Sequence, residues 1–409
     1  MSGVLSMILA GGEGTRLAPL TSYRAKPAVP FGGSYRILDF VLNNFVNSDL
    51  LQIFVLTQFK SHSLLKHMSR RWSVSGLTNR FIDPIPAQMQ TGRHWYQGTA
   101  DAIYQNLHVI DGLDPEIVCV FGGDHIYKMD IRQMINFHRD NSAVLTVAAI
   151  PVPIDQANQF GIIEVDETGK MIGFQEKPKN GAKEIPGRPG WVLASMGNYV
   201  FDAKVLRASL IEDAQEVDSL HDFGHNIIPK LWPSGDVYVY DFSTNSIRGE
   251  PENSRGYWRD VGTIDAYFQS NMDLIQVLPP IDLYNKHWPL RSYHPAVPPA
   301  KFVHDQRNRT GQAICSMVSG GSIISGSVVH ESVLGYNVHV HSHSFVQQSV
   351  IMGNNDIGRG CRIRRAIIDK DVHIAPGTII GEDPIADRER FHVSPEGIVV
   401  IPKGARVGY

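Results

Sequence analysis

Residues 4–17 read VLSMILAGGEGTRL, and this stretch decides how the first half of the chain folds. Its apolar run has no basic segment before it and is too short to cross a bilayer, so it indicates a buried strand rather than a signal peptide. The glycine-dense turn that follows leaves backbone amides open to a ligand, as in loops that bind phosphate. A tight turn without a ligand would leave the same pattern. The loop therefore needs support from the rest of the chain.

The glycine loop matches neither of the two common nucleotide-binding motifs. A Rossmann fingerprint needs a third glycine where Leu17 stands, and a Walker A loop needs GK[ST] where this chain has GTRL. The planar guanidinium of Arg16 nevertheless suits a phosphate group. Lys26 precedes Pro27, which biases it toward an extended backbone that can aim a point charge. We therefore expect a phosphate site of another kind.

Composition sets the broad class of the protein. The chain has 409 residues, enough for two or three domains, and its formal charge of −3 gives no overall field for nucleic acid or an anionic membrane. Its three cysteines are far apart and lack CxxC spacing, which argues against a disulfide framework or a zinc site. No segment reaches about 20 uninterrupted apolar residues. We expect a cytoplasmic protein that binds neither nucleic acid nor membrane.

Up to about residue 270, short β-branched runs alternate with segments of helical periodicity. Such alternation predicts parallel βαβ units with helices on both faces of a Rossmann-like, mostly parallel α/β sheet. Ligands of these sheets bind beyond the carboxyl ends of the strands. The glycine loop after the first strand and the GGD at residues 122–124 should therefore lie at the same edge.

The composition changes at residues 277–304, where prolines cluster without periodicity, as in a linker that lies over a surface. Beyond it, apolar residues recur mostly every six positions, which predicts a parallel β-helix, with a set of ordinary short strands as the alternative. We expect domains at 1–276 and 305–409 on either side of the linker. The apolar positions are Val328, Leu334, Val340, Val346, Met352, Ile357, Ile363, Ile368, Ile374 and Ile380.

Several long motifs occur in an order that resembles the sugar-1-phosphate nucleotidylyltransferases, and more narrowly the bacterial ADP-glucose pyrophosphorylases. The resemblance covers nearly the whole chain. It implies a nucleotidyltransferase fold followed by a left-handed β-helix, and a Mg²⁺-dependent reaction of ATP with glucose 1-phosphate that yields ADP-glucose for glycogen synthesis and pyrophosphate. The motifs include LAGGEGTRL at 9–17, RAKPAV at 24–29, WYQGTADA at 95–102, GGDHIYKMD at 122–130, FQEKP at 174–178 and YWRDVGTIDAY at 257–267.

The resemblance assigns roles to charged residues that spacing alone could not pair. Asp124 ends a predicted buried strand, and the family pattern pairs it with Asp260 as the two ligands of Mg²⁺, a cation that prefers carboxylate and phosphate oxygens. A strand-end aspartate that only caps a turn is the bland alternative. Arg16 and Lys26 are expected on the triphosphate of ATP, and these four residues form the predicted catalytic set.

The resemblance also implies two substrate pockets. Lys177 is expected on the sugar phosphate and Glu176 on the sugar hydroxyls. The remaining predicted glucose 1-phosphate residues are Tyr96, Gly161, Ser195, Tyr199, Asp222, Phe223 and Trp258. The predicted ATP residues are Leu9, Ala10, Gly11, Gly12, Gly14, Thr15, Arg16, Lys26, Gln58, Gly98 and Thr99.

Members of the family are commonly homotetramers with a sugar-phosphate or keto-acid activator and a nucleotide or phosphate inhibitor, bound between the two domains. This chain departs from the enteric pattern, because Tyr23 and Pro30 stand where that type has a basic residue and a histidine. The identity of the activator is therefore not carried over. The predicted regulatory residues are Arg24, Arg36, Gln58, Trp95, Arg362, Arg364 and Arg365.

Three other interpretations stay open at the level of sequence. A nucleotidylyltransferase for dTTP, UTP or GTP would share the fold, and parallel β-helices often carry acyltransferase sites. A non-catalytic regulatory subunit would have lost Asp124, Arg16 or Lys177, and all three are present. The alternating His339, His341 and His343 resemble a metal site, but we expect solvent-facing imidazoles.

Overall fold

The computed structural model describes residues 3–74, 79–305 and 309–408. The start of the predicted N-terminal domain, residues 1–2, lies outside the described residues. So do residues 306–308 and the last residue, 409, of the predicted β-helix domain. Every predicted site residue lies within the described ranges. In this part of the chain, no helix has the length and apolar character needed to cross a membrane.

The helices belong mainly to the N-terminal domain, where they cover the central sheet. Helix α1 follows the apolar periodicity of its sequence and is buried over most of its length, whereas α5 buries one side only. The helices are α1 Ile37–Asn47, α2 His62–Arg71, α3 Thr99–Tyr104, α4 Leu107–Leu113, α5 Ile131–Asp140, α6 Ala203–Asp213, α7 Ile228–Leu231, α8 Ile264–Asp273 and α9 Pro384–Arg390.

The central sheet of the N-terminal domain is mixed. Its strands run in the order β10-β9-β11-β6-β1-β4-β5, and β8 also pairs with β11, while β12 pairs parallel with β8. Short pairs β2–β3 and β13–β7 lie outside it. The strands are β1 Val4–Leu9, β2 Pro30–Phe31, β3 Tyr35–Arg36, β4 Gln52–Thr57, β5 Phe81–Pro86, β6 Ile117–Gly122, β7 His125–Tyr127, β8 Leu145–Pro153, β9 Gly161–Val165, β10 Met171–Glu176, β11 Trp191–Asp202, β12 Val237–Asp241 and β13 Trp258–Asp260.

The register of the parallel strands brings the two predicted phosphate-binding segments together. Strand β1 lies between β4 and β6, parallel to both, and Leu9 is the partner of Gly122. Both strands therefore end at the same level, so the glycine loop after β1 and Asp124 after β6 share one sheet edge. This is the arrangement that the alternating pattern predicts.

The other half of the sheet is antiparallel. Strand β11 pairs antiparallel with β6, β8 and β9, and β9 pairs antiparallel with β10. The βαβ pattern did not predict these pairs, because hairpin partners need no intervening helix and so leave no alternation in the sequence. The overall prediction of a mostly parallel α/β domain followed by a left-handed β-helix is confirmed.

The proline-rich segment lies over the N-terminal domain without regular structure between α8 and Lys301. It is held at defined points rather than loosely tethered. Trp288 is buried, the backbone N–H of Arg291 donates to Asn43 of α1, and the Ser292 hydroxyl donates to Asp39 at 2.7 Å. The segment therefore fixes the path between the two folded parts.

The C-terminal part coils into a β-helix with three sheets, in which the strands pair parallel with the equivalent strands of the next coil, apart from β15 and β29, which pair antiparallel with β14 and β30. Its strands are β14 Lys301–Asp305, β15 Arg309–Thr310, β16 Gln312–Ile314, β17 Met317–Val318, β18 Ile323–Ser325, β19 Val328–His330, β20 Val333–Leu334, β21 His339–Val340, β22 Phe345–Gln347, β23 Val350–Ile351, β24 Asp356–Ile357, β25 Arg362–Arg364, β26 Ala366–Ile368, β27 His373–Ile374, β28 Ile379–Ile380, β29 His392–Val393, β30 Val399–Ile401 and β31 Arg406–Val407.

Eight of the ten predicted apolar positions form the inner columns of the β-helix, and two are displaced by one residue. Val329, not Val328, is fully buried and stacks on Val346. Ile351, not Met352, stacks on Ile368. A strict spacing of six misplaces them because the three corners of a coil do not all contain the same number of residues.

One outer face of the β-helix packs on the N-terminal domain. Met352 and Val400 of this face belong to the same buried cluster as Phe31 and Tyr267. At the rim of this contact, Arg24 makes a bidentate ion pair with Asp369, with Nη2 at 2.8 and 2.9 Å from the two carboxylate oxygens. The two parts are therefore joined by an apolar surface and a buried ion pair.

Candidate active site

A cleft of about 640 Å³ opens at the carboxyl ends of β1, β4 and β6. It is lined by all the residues predicted for catalysis and for the two substrates, from both halves of the sheet. These are Leu9, Ala10, Gly11, Gly12, Gly14, Thr15, Arg16, Lys26, Gln58, Tyr96, Gly98, Thr99, Asp124, Gly161, Glu176, Lys177, Ser195, Tyr199, Asp222, Phe223, Trp258 and Asp260.

Close backbone approaches explain the glycines on the β1 side of the cleft. Gly14 has φ 64°, and a Cβ there would lie 3.0 Å from Cβ of Lys26. A Cβ on Gly98 would lie 2.2 Å from the carbonyl oxygen of His221, a contact that real structures do not allow. These two glycines therefore let the loops at residues 11–16 and 95–99 fold tightly against the cleft.

Lys26 lies between the two predicted metal ligands. Its ammonium is 2.9 Å from Oδ2 of Asp124 and 2.8 Å from Oδ1 of Asp260, and its side chain is only 8% exposed. Burial would lower the pKa of Lys26, but the two carboxylates outweigh it and raise the pKa above its ordinary value. Burial likewise would raise the pKa of Asp124, but Lys26 and then His125 bring it well below its usual range. Lys26 and Asp124 are therefore both charged at neutral pH.

Two neighbours complete this corner of the cleft. Arg16 is largely exposed, and its Nη2 lies 4.0 Å from Oδ2 of Asp260. His125, which sequence reasoning missed, lines the cleft with its Nε2 3.5 Å from Oδ1 of Asp124 and its ring packed 5.0 Å from that of Trp258. The only signal for His125 was its place directly after the strand-end aspartate.

The opposite wall comes from the antiparallel half of the sheet. Glu176 ends β10, and its Oε1 accepts a hydrogen bond from the ammonium of Lys177 at 2.6 Å. A Cβ on Gly161 would lie 2.8 Å from Oε2 of Glu176, and one on Gly224 would lie equally close. The carboxylate is thus flanked by two positions without side chains, which leaves space for polar groups of a ligand.

A hydroxyl and a carboxylate lie between the two walls. Thr99 donates to Oδ2 of Asp222 at 2.8 Å, and Asp222 also caps the helical turn that begins at Phe223. Burial opposes ionisation of Asp222, but the Thr99 hydroxyl and His225 stabilise its charge and lower its pKa. The Gln58 amide donates to the Tyr96 carbonyl at 3.3 Å. The segment at residues 95–99 is therefore tied to both walls.

The donor set fits a hard divalent cation. Asp124 and Asp260 already converge on one positive group, the Lys26 ammonium, and their oxygens are the ligand type that Mg²⁺ takes together with substrate phosphates. Asp124 is one-third exposed and both carboxylates line the cleft, so a cation bound to phosphates can reach them.

The predicted regulatory residues do not form one group. Arg24 and Arg36 lie at the contact with the β-helix, where Arg36 donates to the Ala28 carbonyl. Arg362 and Arg364 lie on the outer side of β25, in a different sheet from the face that packs on the N-terminal domain, and Arg362 pairs with Glu382. The remaining three are dispersed: Gln58 lines the cleft, Trp95 is half-exposed, and Arg365 donates to the Glu396 carbonyl.

A third cation beside Arg24 and Arg36 was missed by sequence reasoning. Lys370 follows Asp369 at a corner of the β-helix, and burial, together with Arg36 and Arg24, lowers its pKa to about 7. Asp369 and Asp371 oppose this shift only in part. Nothing in the local sequence indicates that this lysine faces two arginines that lie far away along the chain.

Comparison with known proteins agrees with this geometry. The family model described as nucleotidyl transferase matches residues 5–277, and one described as GlmU-like, C-terminal hexapeptide matches residues 298–401. The fold and the cleft thus define an enzyme of the nucleotidyltransferase class.

Relatives that match over the full length of the chain indicate the family within the nucleotidyltransferase class. The chain is 61% identical to glucose-1-phosphate adenylyltransferase 1 of Vibrio cholerae, 59% identical to glucose-1-phosphate adenylyltransferase of Aliivibrio fischeri and 52% identical to the protein of that name in an Anaeromyxobacter species. Each match covers 409 residues, which is all of this chain and all of the relative. The chain belongs to the glucose-1-phosphate adenylyltransferase family.

Proposed function

We propose that this protein is a Mg²⁺-dependent glucose-1-phosphate adenylyltransferase that converts ATP and glucose 1-phosphate into ADP-glucose and pyrophosphate, the committed step of bacterial glycogen synthesis. The observation that carries the proposal is the convergence of Asp124, Asp260 and Lys26 beside the glycine loop, with Glu176 and Lys177 on the facing wall of the same cleft. Full-length relatives with this name support the choice of substrates over the dTTP, UTP, GTP and acyl-transfer alternatives.

The reaction needs positioning and charge neutralisation more than proton transfer. A phosphate oxygen of glucose 1-phosphate attacks the α-phosphorus of ATP, and pyrophosphate leaves. The attacking phosphate carries nearly two negative charges at neutral pH, so no side chain has to deprotonate it. The chain must hold two anions in line and stabilise the charge that grows between them.

Each wall of the cleft supplies part of that task. The backbone of residues 11–15 binds the triphosphate, while Arg16 and Lys26 place positive charge over it. Lys177 binds the sugar phosphate, and Glu176 accepts hydrogen bonds from sugar hydroxyls. Asp124 and Asp260 hold Mg²⁺, which when bound neutralises charge on the phosphates. Thr99 and Asp222 close the space between the two substrates.

Regulation is proposed at the contact between the N-terminal domain and the β-helix. Arg24, Arg36 and Lys370 lie there close to one another, near the carboxylates of Asp369, Asp371 and Asp39, and three neighbouring cations suit an anionic effector such as a sugar phosphate, keto acid, nucleotide or phosphate. Residue Lys26 lies two positions after Arg24, so a shift at this contact can reach the cleft. We also propose a cytoplasmic homotetramer with the domain limits predicted from the sequence.

The test is pyrophosphate release with glucose 1-phosphate and Mg²⁺, using ATP, dTTP, UTP and GTP in parallel. Each reaction is run with and without fructose 6-phosphate, fructose 1,6-bisphosphate and pyruvate. We expect strong preference for ATP, loss of activity with excess chelator and a response to at least one effector. Preference for another nucleotide would overturn the substrate assignment, and a light-scattering mass of one chain would overturn the tetramer.

A further inference from the structure

The β-helix carries a histidine-rich cluster remote from the cleft. His339, His341 and Asp356 each bring one ligand atom to the same place, and these atoms lie within 4.8 Å of one another. Across residues 3–74, 79–305 and 309–408, no other trio of His, Cys, Asp or Glu brings its ligand atoms together in this way. All three imidazoles lie on the outer side of the coil, as expected from the sequence, and His339 and His341 in addition converge on Asp356.

The backbone places these side chains on one outer face. His339 and His341 flank Val340, which is fully buried, so the two imidazoles point away from the core on the same side. His339 is the direct register partner of Asp356 on the next coil. The His339 N–H donates to the Asn355 carbonyl at 2.8 Å and the His341 N–H to the Ile357 carbonyl at 3.0 Å, which fixes the spacing of the coils.

The distances match those of a metal centre. His341 Nε2 lies 2.9 Å from Oδ1 of Asp356, and His339 Nδ1 lies 3.8 Å from the same oxygen. In a tetrahedral site with bonds of about 2.0–2.1 Å, ligand atoms are about 3.4 Å apart, between these two values. The three side chains remain 37–44% exposed, which leaves a path for an ion and its water.

We propose that His339, His341 and Asp356 form a binding site for a zinc-like divalent transition-metal ion, with water completing the coordination. Two imidazoles and one carboxylate select zinc, cobalt, nickel or copper over magnesium, which prefers oxygen ligands alone. The ion links two successive coils of the β-helix and stabilises them.

The matched variants are His341→Gln, Asp356→Asn and the control His343→Asn. Asp356→Asn keeps the shape of the side chain and removes its charge. His343 belongs to the same tract but not to the cluster, and its φ of 65° is a conformation that asparagine tolerates. Circular dichroism and metal-free melting curves establish that each variant is folded.

The experiment titrates the full-length protein with Zn²⁺ in a calorimeter, in millimolar Mg²⁺ so that the cleft carboxylates are occupied. We expect the wild type and His343→Asn to bind one more Zn²⁺ per chain than His341→Gln and Asp356→Asn do. If the number of bound ions is equal, we expect the affinity of these two variants for Zn²⁺ to be lower by a factor of roughly ten or more. We also expect Zn²⁺ to raise the melting temperatures of the wild type and His343→Asn more than those of His341→Gln and Asp356→Asn. Equal Zn²⁺ binding by the wild type and His341→Gln, or an equal loss in His343→Asn, would overturn the proposal.

Discussion

At the scale of single residues, one buried cation and two carboxylates stabilise each other at the centre of the cleft. Lys26 is nearly buried and stays protonated because Asp124 and Asp260 face it at hydrogen-bonding distance. A buried cation without these partners would lose its proton, and the two carboxylates without a cation would repel each other. Lys26 therefore favours the ionised form of Asp124 in the free enzyme.

The first prediction concerns Asp124. The Asp124→Asn variant keeps the size of the side chain but removes a charge that binds the cation, so kcat should fall on the order of 100-fold or more, the size typical of losing one electrostatic contact at a reacting centre. Steady-state turnover with ATP and glucose 1-phosphate measures it. Asp83→Asn, at an exposed position of β5, is the control and should keep normal turnover. Near-normal kcat in Asp124→Asn would remove this residue from the catalytic set.

The second prediction separates the two substrates. Lys177→Ala should raise the KM for glucose 1-phosphate by roughly tenfold or more while changing the KM for ATP much less, because a charge-assisted contact to phosphate is worth more than about 1 kcal/mol. Lys179→Ala is the matched control, since Lys179 is an exposed lysine two residues further along. Equal increases in both KM values would contradict the assignment of Lys177 to the sugar phosphate.

Residue-scale reasoning from the sequence finds residues of the cleft where residue type and position in the chain agree, and the catalytic roles of these residues stay predictions. Asp124 directly after a buried strand and Arg16 in the glycine loop were found in this way, and both line the cleft. Asp260 was paired with Asp124 only through family resemblance. Lys370 was missed, because its neighbours come from a distant part of the chain and no local pattern records that contact.

At the scale of elements, burial decides which apolar residues define the β-helix. The sequence pattern predicts a coil with correct strands but places two inner positions one residue off, at Val328 and Met352. Apolar neighbours explain the ambiguity: Val328 precedes Val329, and Ile351 precedes Met352, so hydrophobicity alone cannot tell the inner residue from the outer one. Pairing with adjacent coils resolves it.

The third prediction tests which of two neighbouring apolar residues, Val328 or Val329, faces the inside of the β-helix. Val329→Ala should lower the free energy of unfolding by about 2 kcal/mol, because it removes buried methyl groups from an inner column and leaves a cavity. Val328→Ala, on the partly exposed outer side of the same strand, should cost less than about 1 kcal/mol. Urea unfolding followed by circular dichroism measures both. A larger loss of unfolding free energy in Val328→Ala than in Val329→Ala would mean that Val328 is the inner residue, as the strict spacing of six predicts.

At the scale of the whole molecule, the contact between the two parts combines an apolar face with charged groups that are costly to bury. Arg24 and Asp369 satisfy each other, with side chains 4% and 1% exposed. Among the residues that the structure describes, no carboxylate forms an ion pair with Arg36 or Lys370. Burial and then Arg24 lower the pKa of Arg36 to about 10, and burial, Arg36 and Arg24 lower that of Lys370 to about 7. The contact therefore buries two cations at a cost in free energy, which a bound anion would lower.

The fourth prediction follows from the lowered pKa of Lys370. Below about pH 7 this lysine is charged in both folded and unfolded chains, so the folded state bears the full cost of burying the charge. Above pH 7 only the unfolded chain keeps the proton, so the cost declines as pH rises toward the ordinary lysine pKa, by at most about 1.4 kcal/mol per pH unit. Lys370→Met should therefore melt at a higher temperature than the wild type near pH 6, with the difference shrinking by about pH 9.5. Lys301→Gln, an exposed lysine of β14, should show no such trend. A difference in melting temperature between Lys370→Met and the wild type that is constant with pH would mean that the pKa of Lys370 is not lowered in the folded protein. Lys370 would then add no costly buried charge for an effector to neutralise.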